Sequence, residues 1–99
     1  FSNIEEGTSI FHQVYIAHNV KIGKNCIINN HALIEHDVTI GNNCHVSTGV
    51  KINGNVIIGN NTFIGSGTIL HNNLIIGEDC VIGAGKVIKK NIKQKKIIK

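Results

Sequence analysis

Arginine, proline, tryptophan and methionine are missing from these 99 residues, and the aromatic rings amount to one tyrosine and three phenylalanines. Without arginine forks or a set of stacking rings, bidentate reading of bases or phosphates has little to work with, so nucleic acid is not an expected partner. No apolar run approaches the roughly 20 residues of a membrane-spanning helix, and no signal-peptide layout opens the chain. The expected setting is the cytoplasm, with no membrane partner. Missing too is any 3.6-residue apolar period, which removes amphipathic helices. A chain that opens on Phe1 and contains no methionine is expected to be a piece of something longer, and it is short enough for one domain.

What is present begins with charge. The net charge of +4 comes from ten lysines, and seven of them (Lys86, Lys89, Lys90, Lys93, Lys95, Lys96 and Lys99) crowd the end of the chain. A run of like charges is expected to be solvated, so residues 94–99 read as a lysine-rich C-terminal tail that follows fraying near Lys86.

The dominant signal is a six-residue repeat. Every sixth residue from Ile4 to Ile88 is aliphatic, fifteen positions in all, with Val46 and Leu70 the only departures from isoleucine. Four residues after each sits a second, usually small or β-branched residue, as at Thr8, Val14, Val20, Cys26, Ala32 and Val38. One residue separates that position from the next isoleucine, which is the in-out-in alternation of a short strand. The residues between are rich in Gly and Asn, as in Gly41-Asn42-Asn43 and Gly59-Asn60-Asn61, and these tolerate the positive φ of tight turns. Each hexad is therefore one strand and one corner.

This aliphatic-Gly-x-x-small-x pattern resembles the hexapeptide-repeat proteins. The resemblance implies an all-β fold, a left-handed parallel β-helix with three hexads per coil and about five coils, filling residues 1–93. Eighteen residues then close a coil, and positions eighteen apart stack at about 4.8 Å. Cys26, Cys44 and Cys80 fall in one interior column with Thr8 and Thr62, where packed free thiols are expected rather than a disulfide or metal site. Outward positions form stripes: Ile27, His45, Phe63 and Val81 on one face, Tyr15, Leu33, Lys51, Ile69 and Val87 on the next, Lys21, Thr39, Ile57, Ile75 and Lys93 on the third. Stripes like the first two mark an oligomer, and the resemblance makes it a homotrimer.

Chemistry is expected at Ile34-Glu35-His36-Asp37, where a histidine on an exposed corner lies between two carboxylates. Either Glu35 or Asp37 could orient the ring and stabilise its imidazolium form. The column through that corner reads His18, His36, Gly54, Asn72 and Lys90. His45 points outward from the face opposite the corner, so it meets His36 only across a subunit interface. His12, His18, His31 and His71 receive no role. His31 and His36 also give an H-x4-H spacing, and γ-class carbonic anhydrases share this solenoid. Resemblance to them requires a third histidine about two coils earlier, for which the chain has no room, so no metal is expected.

Asn25-Cys26-Ile27-Ile28-Asn29, Ala32-Leu33-Ile34-Glu35-His36-Asp37, His45-Val46, Gly54-Asn55-Val56, Phe63-Ile64-Gly65 and Ile82-Gly83-Ala84-Gly85 are similar to the acetyltransferase half of the NeuD/PglD family. That resemblance implies transfer of acetyl from acetyl-CoA to the amine or hydroxyl of a small-molecule sugar acceptor, a nucleotide-linked amino sugar or a sialic acid. It makes His36 the catalytic base and Asp37 the residue that raises its basicity. It places His45 against acetyl-CoA, the Gly54 N–H toward the thioester carbonyl, and Ser66 and Ala84 along the pantetheine groove with Thr48. The terminal lysines would lie near the coenzyme's 3′-phosphate. The family's N-terminal sugar-nucleotide-binding domain and its usual segment after the last coil have no counterpart in the sequence, and the cross-class alternative is a trimeric scaffold without catalysis.

Overall fold

The structure, a computed structural model, describes residues 2–99. Among them there is no helix; sixteen two-residue strands wind into a solenoid with three parallel sheets. The first face carries Asn3–Ile4, Lys21–Ile22, Thr39–Ile40, Ile57–Ile58 and Ile75–Ile76. The second carries Ser9–Ile10, Ile27–Ile28, His45–Val46, Phe63–Ile64, Val81–Ile82 and Ile97–Ile98. The third carries Tyr15–Ile16, Leu33–Ile34, Lys51–Ile52, Ile69–Leu70 and Val87–Ile88. From one coil to the next the register is eighteen residues, as in Leu33 opposite Lys51 and Ile34 opposite Ile52. The expected five coils and three-hexad closure are therefore observed, and the molecule is 30 Å long by 21 and 19 Å across.

The hexad alternation fixes what is inside. Ile22, Ile28, Ile34, Ile40, Ile52, Ile58, Ile64, Leu70, Ile76 and Ile82 are all nearly or fully buried, and the small column of Val20, Cys26, Ala32, Val38, Cys44 and Val50 fills the gaps beside them. A fully buried isoleucine contributes about 1.5–3 kcal/mol, so a column of them is the main source of stability. Backbone hydrogen bonds join each coil to the next, for example Leu33 N to Val50 O at 2.8 Å and Glu35 N to Ile52 O at 2.9 Å.

Corners are made by one left-handed residue per hexad. Asn19, Asn25, Asn43, Asn55, Asn61 and Asn73 take φ between 56° and 62°, as does Asp37 at 60°, a conformation Asn and Asp adopt more readily than other non-glycine residues. Coils pack tightly here: a Cβ on Gly65 would lie 2.5 Å from the Ala84 nitrogen. The interior Thr and Cys column stitches corners together. Thr62 Oγ1 donates to Gly77 O at 2.9 Å and accepts from Cys80 N at 3.2 Å, while the Cys44 thiol donates to Gly59 O at 3.1 Å. All three cysteines are buried and free.

The end of the chain departs from expectation. In place of fraying at Lys86 and a solvated tail over 94–99, Val87–Ile88 pairs with Ile69–Leu70, and Ile97–Ile98 pairs with Val81–Ile82 as the sixth strand of the second sheet. Two residues are missing from the corner after Ile88, so this last step is sixteen residues: Ile76 bridges Ile92 and Ile82 pairs with Ile98. Lys93 consequently leaves the outward strand position expected of it, and the position next to Ile75 belongs to Asn91, whose Oδ1 accepts from Ile75 N at 2.8 Å. Ile92 and Ile98, partly buried, pack against the core on the inward side of this coil.

Candidate active site

His36 lies on the corner between the strands Leu33–Ile34 and Thr39–Ile40. The left-handed turn at Asp37 folds its side chain back beside the ring, so that Asp37 Oδ2 pairs with His36 Nδ1 at 2.9 Å. The other carboxylate oxygen accepts from Asn19 Nδ2 in the preceding coil at 2.5 Å. These hydrogen bonds, Asn19's first and His36's second, hold the Asp37 carboxyl below its ordinary value. Of the two carboxylates flanking His36 it is Asp37 that engages the ring, while Glu35 lines the pocket next to it. With Nδ1–H donated to Asp37, the lone pair is left on Nε2, the tautomer a general base needs.

The ring is clamped above and below. His18, one coil earlier, stacks on it with centroids 5.7 Å apart and planes 12° from parallel. On the other side Gly54 is buried, and a Cβ there would stand 2.6 Å from Nε2 and 2.7 Å from Cε1. Glycine at 54 thus leaves the space in which Nε2 sits. Beside it opens a cavity of about 250 Å³ lined by Glu35, His36, Asn53, Gly54, Asn55, Asn72 and Asn73. Asn53 Nδ2 donates to Leu70 O at 2.9 Å and Asn55 Nδ2 to Asn73 Oδ1 at 2.9 Å, which fixes the walls.

The remaining candidates lie elsewhere on the chain. His45 is on the second face, opposite that corner, and meets the Phe63 ring edge-on at 5.1 Å. Ser66 and Ala84 are exposed at the corner between the second and third faces, stacked one coil apart. Within one chain the structure joins His36, Asp37 and Gly54 and leaves His45, Ser66 and Ala84 apart from them. His31 stands on the same corner as Ser66 and Ala84, on the far side of the strand Leu33–Ile34 from His36, so the H-x4-H spacing does not bring it to His36. The partner the residue types did not single out is His18, and its signal is arithmetic: it is the one histidine eighteen residues from another.

Outward stripes are exposed on all three faces. Ile27, Phe63 and Val81 on the second, Tyr15 and Val87 on the third, and Ile57 and Ile75 on the first are each more than a third exposed. No helix among the described residues is long and apolar enough to cross a membrane.

The chain matches the family described as bacterial transferase hexapeptide (six repeats) over residues 1–36 and 55–90 and belongs to it. No curated protein matches it by sequence. Among solved structures it is similar to the acetyltransferase domain of PglB from Neisseria gonorrhoeae FA1090, at 26% identity and a TM-score of 0.88 over 92% of this chain and 46% of that one. It is also similar to a variant of GDP-perosamine N-acetyltransferase from Caulobacter crescentus in which one histidine is replaced by alanine, in complex with CoA and GDP-perosamine. There the identity is 25% and the TM-score 0.82, over 96% and 51% of the two chains. Serine acetyltransferase isoform 3 from Entamoeba histolytica, in complex with cysteine, gives 27% identity and a TM-score of 0.75 over 85% and 34%. The chain thus spans about half the length of the first two structures.

Proposed function

We propose that this solenoid transfers acetyl from acetyl-CoA to the amine or hydroxyl of a nucleotide-linked amino sugar or sialic acid. The observation that carries the reading is the orientation of His36: Nδ1 is committed to Asp37 at 2.9 Å, and Nε2 is bared over Gly54 at the edge of the cavity. The acceptor's lone pair attacks the thioester carbonyl while Nε2 takes its proton. The C–S bond then breaks and CoA leaves as thiolate. Asp37 stabilises the imidazolium, and the Gly54 N–H is available to the carbonyl oxygen as negative charge develops on it. The buried cysteines have no access to a substrate and are not nucleophiles.

The coenzyme groove runs past His45, Ser66 and Ala84, and a homotrimer brings the second face of one subunit to the His36 corner of the next. Support comes from the stripe of Ile27, Phe63 and Val81 beside His45, which is unusually apolar for a free surface. Relatives of similar fold are acetyltransferases, one of them in complex with CoA and a nucleotide sugar. Buried free thiols at Cys26, Cys44 and Cys80 fit a reducing cytoplasm.

The test is calorimetric titration of acetyl-CoA into the purified chain, its mass in solution recorded in parallel, followed by acetyl transfer to amino-sugar nucleotides. Saturable binding at three sites per trimer, weakened by His45→Ala, is expected. A well-formed trimer that binds no acetyl-CoA points instead to a scaffold.

A further inference from the structure

His18, His36 and Asp37 do more than flank one another. One ligand atom from each lies within 4.8 Å of the other two, and all three side chains are accessible from solvent. Asn19 holds Asp37 Oδ1, so Oδ2 faces His36 Nδ1 at 2.9 Å. Two ligands of a tetrahedral zinc ion bound at about 2.0–2.2 Å stand about 3.3 Å apart, so this nitrogen and this oxygen are already near the spacing such an ion imposes. The stacked His18 ring is on an exposed corner, where a small rotation brings its nitrogen in without disturbing the core.

We infer that His18, His36 and Asp37 form a binding site for a transition-metal dication of the zinc type, with water completing the shell. Two imidazoles and one carboxylate suit Zn²⁺ and its neighbours. They lack the thiolates a soft ion prefers and the number of oxygens that calcium or magnesium requires. The site needs two consecutive coils, since His18 and His36 occupy the same corner position eighteen residues apart.

Filling the site has a chemical consequence that rests on the transferase reading. An ion at His36 Nδ1 takes the lone pair of that nitrogen, so the neutral ring's single proton moves from Nδ1 to Nε2, which is then a donor and no longer a base. An ion at Nε2 takes the lone pair directly. Either way zinc blocks proton removal from the acceptor, so the site is inhibitory.

The experiment titrates Zn²⁺ into the metal-free chain by calorimetry, with histidine ring signals followed by NMR. One saturable site per chain is expected, perturbing the His18 and His36 rings first, with affinity falling at least tenfold in both His18→Asn and Asp37→Asn. Absence of saturable binding, or binding unchanged by His18→Asn, overturns the inference. Inhibition is then read as the ratio of acetyl transfer with and without Zn²⁺, which removes any effect of a variant on basal rate. The half-inhibiting concentration is expected to rise at least tenfold in His18→Asn and inhibition to be reversed by a chelator. Zinc that binds through His18 to a chain without acetyl transfer upholds the metal site and removes the transferase reading. Zinc that binds there while transfer continues overturns the inhibitory role.

Discussion

Two corners of this prism are built from the same hexad and the same left-handed residue, yet their side chains make different hydrogen bonds. At the corner between the first and second faces, amides run along the axis as a ladder. Lys24 N donates to Asn42 Oδ1 at 2.8 Å, Asn42 N to Asn60 Oδ1 at 2.7 Å, and Asn43 Nδ2 to Asn61 Oδ1 at 3.2 Å. At the corner between the third and first faces the corresponding positions are His18, His36 and Gly54, and the ladder is interrupted. Asn19 pairs with Asp37 and Asn55 with Asn73, but Asp37 turns to His36 instead of Asn55. The difference teaches where chemistry can sit on a repetitive scaffold: each hydrogen bond withheld from the ladder becomes available to a ligand.

Replacing His36 should separate the two corners most sharply. His36→Asn is expected to lower acetyl transfer by about 10²–10⁴-fold, the range for loss of a positioned general base, with the thermal midpoint nearly unchanged because the side chain is 52% exposed. A loss of less than tenfold would place the base elsewhere. Next comes Gly54→Ala. The added methyl would stand 2.6 Å from Nε2, so the ring must leave its place against Asp37. A rate loss of about tenfold or more is expected from misplacement alone. The control is in the other corner: Asn60→Ala removes the acceptor of Asn42 N. It should cost about 0.5–1.5 kcal/mol of stability and leave transfer unchanged. Equal effects of Gly54→Ala and Asn60→Ala on transfer would erase the distinction between the corners.

Most of the architecture was legible because a solenoid converts sequence spacing directly into spatial stacking. Isoleucine at every sixth position requires an inward column, and Asn or Gly three residues later requires a corner, so the eighteen-residue register and the interior cysteines followed. In the last coil two signals conflict. Charge density at Lys89, Lys90, Lys93, Lys95 and Lys96 points to a solvated tail, whereas Ile92 and Ile98 resume the six-residue step after a two-residue deletion, and the hydrophobic spacing prevails. Within the site, the choice between Glu35 and Asp37 lay beyond composition. It depends on which one occupies the left-handed position, and φ of 60° at Asp37 is what directs that carboxylate to the ring. The sequence resemblance points to the N–H of Gly54, while its second role, leaving room for an imidazole from the previous coil, becomes visible only when coils are stacked.

The smallest expected effect concerns how the two coils share Asp37. Its carboxyl sits below the ordinary 3.8 because Asn19 and then His36 hydrogen-bond the ionised form. In the unfolded chain those partners are gone and the carboxyl returns to its ordinary value. A group depressed in the folded state binds fewer protons there than in the unfolded chain, so its stabilisation is present above the unfolded value. It disappears as pH falls through the folded one. Asn19→Ala removes the larger of the two causes, so the folded value should move back toward 3.8. The measurement is the thermal midpoint of both proteins from neutral to strongly acidic pH. At neutral pH the native chain should be slightly the more stable, the effect being small because Asp37 is open to solvent. The gap should close once the carboxyl is protonated in both states. A gap that stays constant across the titration would mean that Asn19 acts through packing and not through the charge on Asp37. The ladder of the other corner would then be the better description of this one as well.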